Sequence, residues 1–147
     1  MGHSRTTDAN SQSTDGSPLI HVIWGTKAEV IKVTPVLREM DRRGVPYRLI
    51  ETGQHGAYLP GLREHLDIRE PDVCLGDGSD ADTLPAAVLW ALGLARSLAS
   101  RNRLRSEVFG DRDGVCLVHG DTPSTLLATL MARRSGIPVA HLESGLR

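Results

Sequence analysis

Leu19-Ile20-His21-Val22-Ile23-Trp24 is a short apolar run rich in β-branched residues, and Gly25-Thr26 follows it directly. Beyond that turn, apolar residues recur at Val30, Ile31, Val33, Val36, Leu37 and Met40. The run has the character of a strand buried on both faces. The recurrence after it has helical spacing. Gly44 and Pro46 supply a stop for that helix. A strand of this kind feeding a helix through a glycine turn is the first half of a β-α-β unit.

The rest of the chain repeats the unit. Tyr47 to Thr52 reads as a second strand, followed by Gly53 and a helical stretch ending near Leu66. Val73 to Leu75 is a short third strand. Asp82 or Thr83 caps a long helix expected to run to about Ser106, with Pro85 in its tolerant first turn. Val115 to Val118 is another buried-type strand, Thr122 to Arg134 a helix closed by Gly136, and Val139 to Leu142 the next strand. Near-continuous apolar strands alternating with helices imply parallel pairing through right-handed crossovers. The expected class is therefore α/β, a Rossmann-like doubly wound parallel sheet.

The chain has 147 residues, of which 39% are hydrophobic. That suits one domain with a real core. No stretch approaches the ~20 apolar residues of a membrane span, and the N-terminus lacks an apolar signal core. Residues 1–17 are polar and are expected to be a disordered tail, leaving residues 18–147 as the domain. A formal net charge of −1 argues against a nucleic-acid partner. Cys74 and Cys116 each sit in a Val-Cys-Leu run and read as small buried hydrophobes of a reduced, cytoplasmic protein.

Polar residues gather where the strands end. Gly25-Thr26-Lys27-Ala28-Glu29 opens the first helix, whose N-terminal N–H groups and dipole suit an anion, with Lys27 and Lys32 adding charge. A plain βα turn capped by Thr26 fits the spacing equally well, and neither a GxGxxG nor a Walker pattern is present. Thr52-Gly53-Gln54-His55 offers a glutamine and a histidine to sugar hydroxyls or to proton transfer, or is simply a polar loop. Asp121 after His119-Gly120 is a candidate acid or base, or the N-cap of the next helix, and the two roles compete for the same oxygens. Glu143 ends the last strand on the same edge, so Asp121 and Glu143 form a candidate acid/base pair.

Three patterns carry no site. Asp77, Asp80 and Asp82 lack the glycine and glutamate of a calcium loop. The arginines at 96, 101, 103 and 105 read as a solvated helix end. The histidines lack zinc spacing, so neither a metal nor a cofactor is expected.

In order, GTKAEVIKVTPV, ETGQH, LVHGDTPSTLLATLMA and IPVAHLESGLR resemble the N-terminal domain of the non-hydrolysing UDP-N-acetylglucosamine 2-epimerases, from Leu19 to Arg147. The resemblance implies the N-terminal half of a glycosyltransferase-B-type architecture, with UDP-sugar substrate in a cleft between two Rossmann-like domains. It implies interconversion of UDP-N-acetylglucosamine and UDP-N-acetylmannosamine by elimination and re-addition of UDP. Asp121 and Glu143 match two carboxylates needed for catalysis. Lys32 and His55 match polar residues of the cleft, and Lys27 stands where many members have arginine, keeping the charge without the bidentate fork. The family's second domain has no counterpart in these residues. The expectation is an epimerase fragment inactive alone, partnered by a separate C-terminal half or a second copy. The alternatives are a fragment of a hydrolysing 2-epimerase or another enzyme on the same plan, and a non-catalytic binding relic.

Overall fold

The computed structural model describes residues 18–54, 57–76 and 100–145, with residues 83, 85, 86, 88, 89, 92 and 93. The expected tail over residues 1–17, His55 and the aspartates 77, 80 and 82 lie outside the described residues. The elements are β1 (Leu19–Trp24), α1 (Lys27–Arg43), β2 (Tyr47–Glu51), α2 (Leu59–His65), β3 (Val73–Cys74), α3 (Arg101–Arg103), β4 (Gly114–His119), α4 (Pro123–Ser135) and β5 (Val139–Leu142).

The strands form one parallel sheet in the order β3-β2-β1-β4-β5. Chain order runs outward from β1 to β3 on one side and from β4 to β5 on the other, so the strand order reverses between β1 and β4. Register follows from Ile20 opposite Tyr47 and Val115, and from His119 opposite Leu142.

Alternation along each strand splits the core in two. Val22, Trp24, Leu49 and Leu117 pack beneath α1 and α2 with Val30, Val33, Leu37 and Leu59. Ile23, Ile50, Cys116 and Val118 face the other way, onto Phe109, Ala128, Met131 and Ala132. Both faces are covered, which is why the central strands carry apolar residues at successive positions rather than alternately. Helix ends obey the sequence signals: Gly44 and Gly136 close α1 and α4 at φ 64° and 77°, a left-handed conformation that glycine adopts without a Cβ clash.

Three expectations need correction. The long helix does not run unbroken to Ser106. Thr83 accepts from the Ala86 N–H as a cap should, but Ser100 is extended at φ −118° and ψ 113° and starts the separate α3. A π-helical turn over Leu104–Val108 then leads to Phe109. Cys74 is exposed, because β3 is only two residues long and lies at the sheet edge, whereas Cys116 is buried in the central β4. Arg105 is not merely solvated: its guanidinium bonds Ser135 O at 3.0 Å and pairs with Asp113 at 2.7 Å.

Candidate active site

The C-terminal strand ends bring together the turns after β1, β2, β4 and β5. After β1, Thr26 is the N-cap of α1 and its hydroxyl accepts from the Glu29 N–H. Glu29 returns the bond, accepting from the Thr26 N–H at 2.9 Å and from the Gly25 N–H at 2.6 Å. These bonds form a complete capping box. Gly25 is required by space: a Cβ there would meet Thr52 Oγ1 at 2.0 Å and Ser124 Cβ at 2.7 Å. The anion position at this helix start is thus largely filled from within, by the buried carboxylate of Glu29.

After β4, Thr122 and not Asp121 caps α4, its hydroxyl accepting from the Thr125 N–H. The competition over the Asp121 oxygens is thereby removed. Asp121 is exposed, and among the described residues its carboxylate has no hydrogen-bond or ion-pair partner. The backbone beneath it is fixed. The Gly120 N–H donates to Leu142 O, Gly120 O contacts His141 Nε2, and the Thr125 hydroxyl donates to His119 O at 2.7 Å.

Glu143 directly follows β5 and adopts φ 62°. A left-handed, non-glycine residue of this kind costs about 1 kcal/mol and is often found at functional sites. Its carboxylate pairs with Lys32 Nζ at 2.8 Å and lies 3.3 Å from His119 Nε2. The hydrogen bond from Lys32 holds the Glu143 carboxyl below its usual pKa, and the charges of Lys32 and His119 add to the effect. One salt bridge therefore links α1 to the end of β5 across the sheet.

Of the residues expected to form the site, Asp121 and Glu143 sit on turns of this one edge, and Lys32 reaches it from the second turn of α1. Lys27 lies at the same helix start, with its ammonium 3.5 Å over the ring of Tyr58, a cation–π contact. Gln54 follows β2 and has a buried side-chain oxygen with no partner among the described residues. Glu29 and His119 were not anticipated. Their signals were a glutamate three residues after a threonine cap, and a histidine ending a buried strand. Among the described residues no three His, Cys, Asp or Glu side chains group to hold a metal. No helix among them is long and apolar enough to cross a membrane.

Such a sheet, with its polar turns at the strand-order reversal, defines a Rossmann-like ligand-binding domain. The chain belongs to the UDP-N-acetylglucosamine 2-epimerase family, whose pattern matches residues 38–147. The UDP-N-acetylglucosamine 2-epimerase of Methanococcus maripaludis is 31% identical over 134 residues, covering 87% of this chain and 32% of the relative. That of Campylobacter jejuni is 30% identical, with 87% and 31% covered. The crystal structure of the Neisseria meningitidis UDP-GlcNAc 2-epimerase bound to UDP-GlcNAc superposes with a TM-score of 0.65 at 29% identity, over 87% of this chain and 33% of that one. A Rickettsia bellii UDP-N-acetylglucosamine 2-epimerase gives 0.62 at 29% identity, over 88% and 32%. The chain spans about a third of the length of these relatives. It matches part of the N-terminal domain of their glycosyltransferase-B-like architecture.

Proposed function

We propose that this domain supplies the proton-transfer side of a UDP-N-acetylglucosamine 2-epimerase site. The observation that carries this is the placement of Asp121 and Glu143 on adjoining turns beyond the neighbouring strands β4 and β5, with Lys32 bound to Glu143 at 2.8 Å. In the elimination, one carboxylate takes the C2 proton of the sugar. The C2–H electron pair becomes the C1–C2 double bond, and the C1–O pair leaves with UDP. Re-addition of UDP at C1, with protonation of C2 from the opposite face, gives the epimer. Two faces call for two proton carriers, and two carboxylates on adjoining strand ends meet that need. Asp121, exposed and without a partner among the described residues, takes up a proton from water and delivers it to C2. Glu143, kept ionised by Lys32, is the base that takes the C2 proton, and it returns that proton in the reverse direction. Lys32 and Lys27 place positive charge beside the developing anion of the leaving group. Gln54, on the turn after β2, is the described residue placed to meet the sugar, and the resemblance adds His55, which follows it in sequence.

The test is solvent exchange at C2. Residues 18–147 replace the corresponding part of an active relative, and UDP-N-acetylglucosamine is followed by NMR in deuterated water. The expected result is deuterium at C2 of both epimers, with exchange and epimerisation both lost in Asp121→Asn and in Glu143→Gln. A folded chimera that binds substrate and in which both variants exchange at the parent rate would overturn the proposal.

A further inference from the structure

We infer that Glu29 is a positioning residue: its buried carboxylate latches the turn after β1 to the turn after β4, setting Lys32 and Asp121 in register across the strand-order reversal. For its kinetic consequence this rests on the epimerase reading above; for its structural consequence it does not.

A glutamate serving only as a helix cap would need the Gly25 and Thr26 N–H groups and nothing more. Here three hydroxyls from the far turn also converge on the same carboxylate. Thr122 Oγ1 bonds Glu29 Oε1, Ser124 Oγ lies 2.8 and 3.0 Å from the two oxygens, and Thr125 Oγ1 lies 3.0 Å from Oε1. Glu29 is 3% exposed, Ser124 1% and Thr125 6%, so water does not substitute for any of them. The Gly25 and Thr26 N–H groups and the Thr122 and Ser124 hydroxyls donate to the carboxylate, while the single proton of the Thr125 hydroxyl is shared between Glu29 Oε1 and His119 O. The starts of α1 and α4 both meet here, each bringing the positive end of a helix dipole. The anion between them is therefore a covalent part of α1.

The consequence runs through sequence adjacency. Thr122 is at once a ligand of Glu29, the cap of α4 and the residue after Asp121. Lys32 is one turn along α1 from Glu29 and reaches Glu143. Moving the latch therefore shifts the backbone that carries Asp121 relative to the helix that carries Lys32. A sub-ångström displacement of a reacting group costs rate without abolishing binding.

Two measurements test this. In ¹⁵N spectra of the 147-residue chain, Glu29→Gln is expected to move the Asp121 and Thr122 amide signals as well as those of residues 25–32, and to speed hydrogen exchange at Gly25 and Thr26. Movement confined to residues 25–32 would show a local cap and overturn the latch. In the chimera, Glu29→Gln and Thr122→Val are each expected to lower kcat at least about tenfold while KM stays within about threefold. Thr122→Ser, which keeps the hydroxyl, is expected to restore most of the rate. Variants that lose thermal stability yet keep the parent kcat would overturn the positioning role. If Glu29→Gln fails to fold, Thr122→Val and Thr122→Ser decide both measurements. An inactive parent chimera would instead refute the proposed function, leaving the spectra to judge the latch.

Discussion

His21 gives the domain a built-in sensitivity to mild acid. The ring is fully buried in β1, edge-on to Phe109 with centroids 5.1 Å apart. Burial, above all, pulls its pKa from 6.5 to about 4. Proximity of the ring to the Arg112 backbone opposes this, and the charges of Arg48, Arg112 and Arg105 add to the lowering. The unfolded chain takes a proton on histidine near pH 6.5, whereas the fold resists until about 4. Stability is therefore full above 6.5, falls as the pH drops from 6.5 towards 4, and levels off below. At ~1.4 kcal/mol per pH unit the displacement amounts to about 3 kcal/mol in the limit, and to about 2 kcal/mol between pH 7 and pH 5. With a urea dependence of roughly 2 kcal/mol per molar, the unfolding midpoint should fall by about 1 M over that range. Glu39, Asp72, Asp113 and Glu143 also have lowered pKa values, but their unfolded values are 4.5 and 3.8, so their contributions are lost only at lower pH. Urea titrations of the parent and of His21→Leu at pH 7, 6 and 5 separate the two effects. A parent midpoint that moves no more than that of His21→Leu would refute this account, as would an NMR titration placing His21 near 6.5.

Gly25→Ala is expected to destabilise the chain by about 1–3 kcal/mol, because the new methyl meets Thr52 and Ser124 in a packed turn; chemical denaturation reads the loss. Arg63 and Glu51 form a buried pair at 2.5 Å, each side chain 6% exposed. Arg63→Met should cost about 3–5 kcal/mol by leaving Glu51 unpaired. Arg63→Met with Glu51→Leu should recover much of that loss in a thermal melt. Cys74 should react with a thiol reagent in the native chain, slowed by the raised pKa that partial burial gives it. Cys116, pushed up to about 12 by burial, should react only on unfolding. Equal native rates for the two thiols would contradict the packing of β4.

Local chemistry was legible where neighbours in sequence decide it. The apolar runs of β1 and β4, the Thr26 cap and the glycines at 44 and 136 all act within a few residues, and each stands where the pattern put it. The break at Ser100 was hidden because the apolar spacing continues through Leu92, Ala95 and Leu98, and a serine becomes a cap only once the chain has bent there. The exposure of Cys74 depends on where β3 lies in the sheet, which no local window contains. Glu29 shows the limit most clearly. Its capping box is a sequence pattern, yet the hydroxyls that make it more than a cap arrive from 93 to 96 positions away. His119 likewise gains its meaning from Glu143, which only the β4–β5 pairing brings near.

Thr122 explains how the backbone of this edge can be held while a carboxylate beside it stays exposed. A helix start needs an acceptor for its free N–H groups, and the residues best suited to that task are the same short polar ones that could serve catalysis. Had Asp121 been the cap, its oxygens would have been held by α4. Thr122 takes the cap and ties it to Glu29, and Gly120 is held by β5. The Asp121 backbone is therefore fixed from both sides, while its exposed carboxylate has no partner among the described residues. Glu143 shows the opposite arrangement, with a left-handed backbone and a carboxylate held by Lys32 and His119. One acid is free to change partners and the other is kept charged. Thr122→Ala should then loosen Asp121 while leaving the Lys32–Glu143 pair intact. In the chimera C2 exchange should therefore slow at least about tenfold, as in Thr122→Val, while the Glu143 carboxyl keeps its lowered pKa; exchange at the parent rate would refute this.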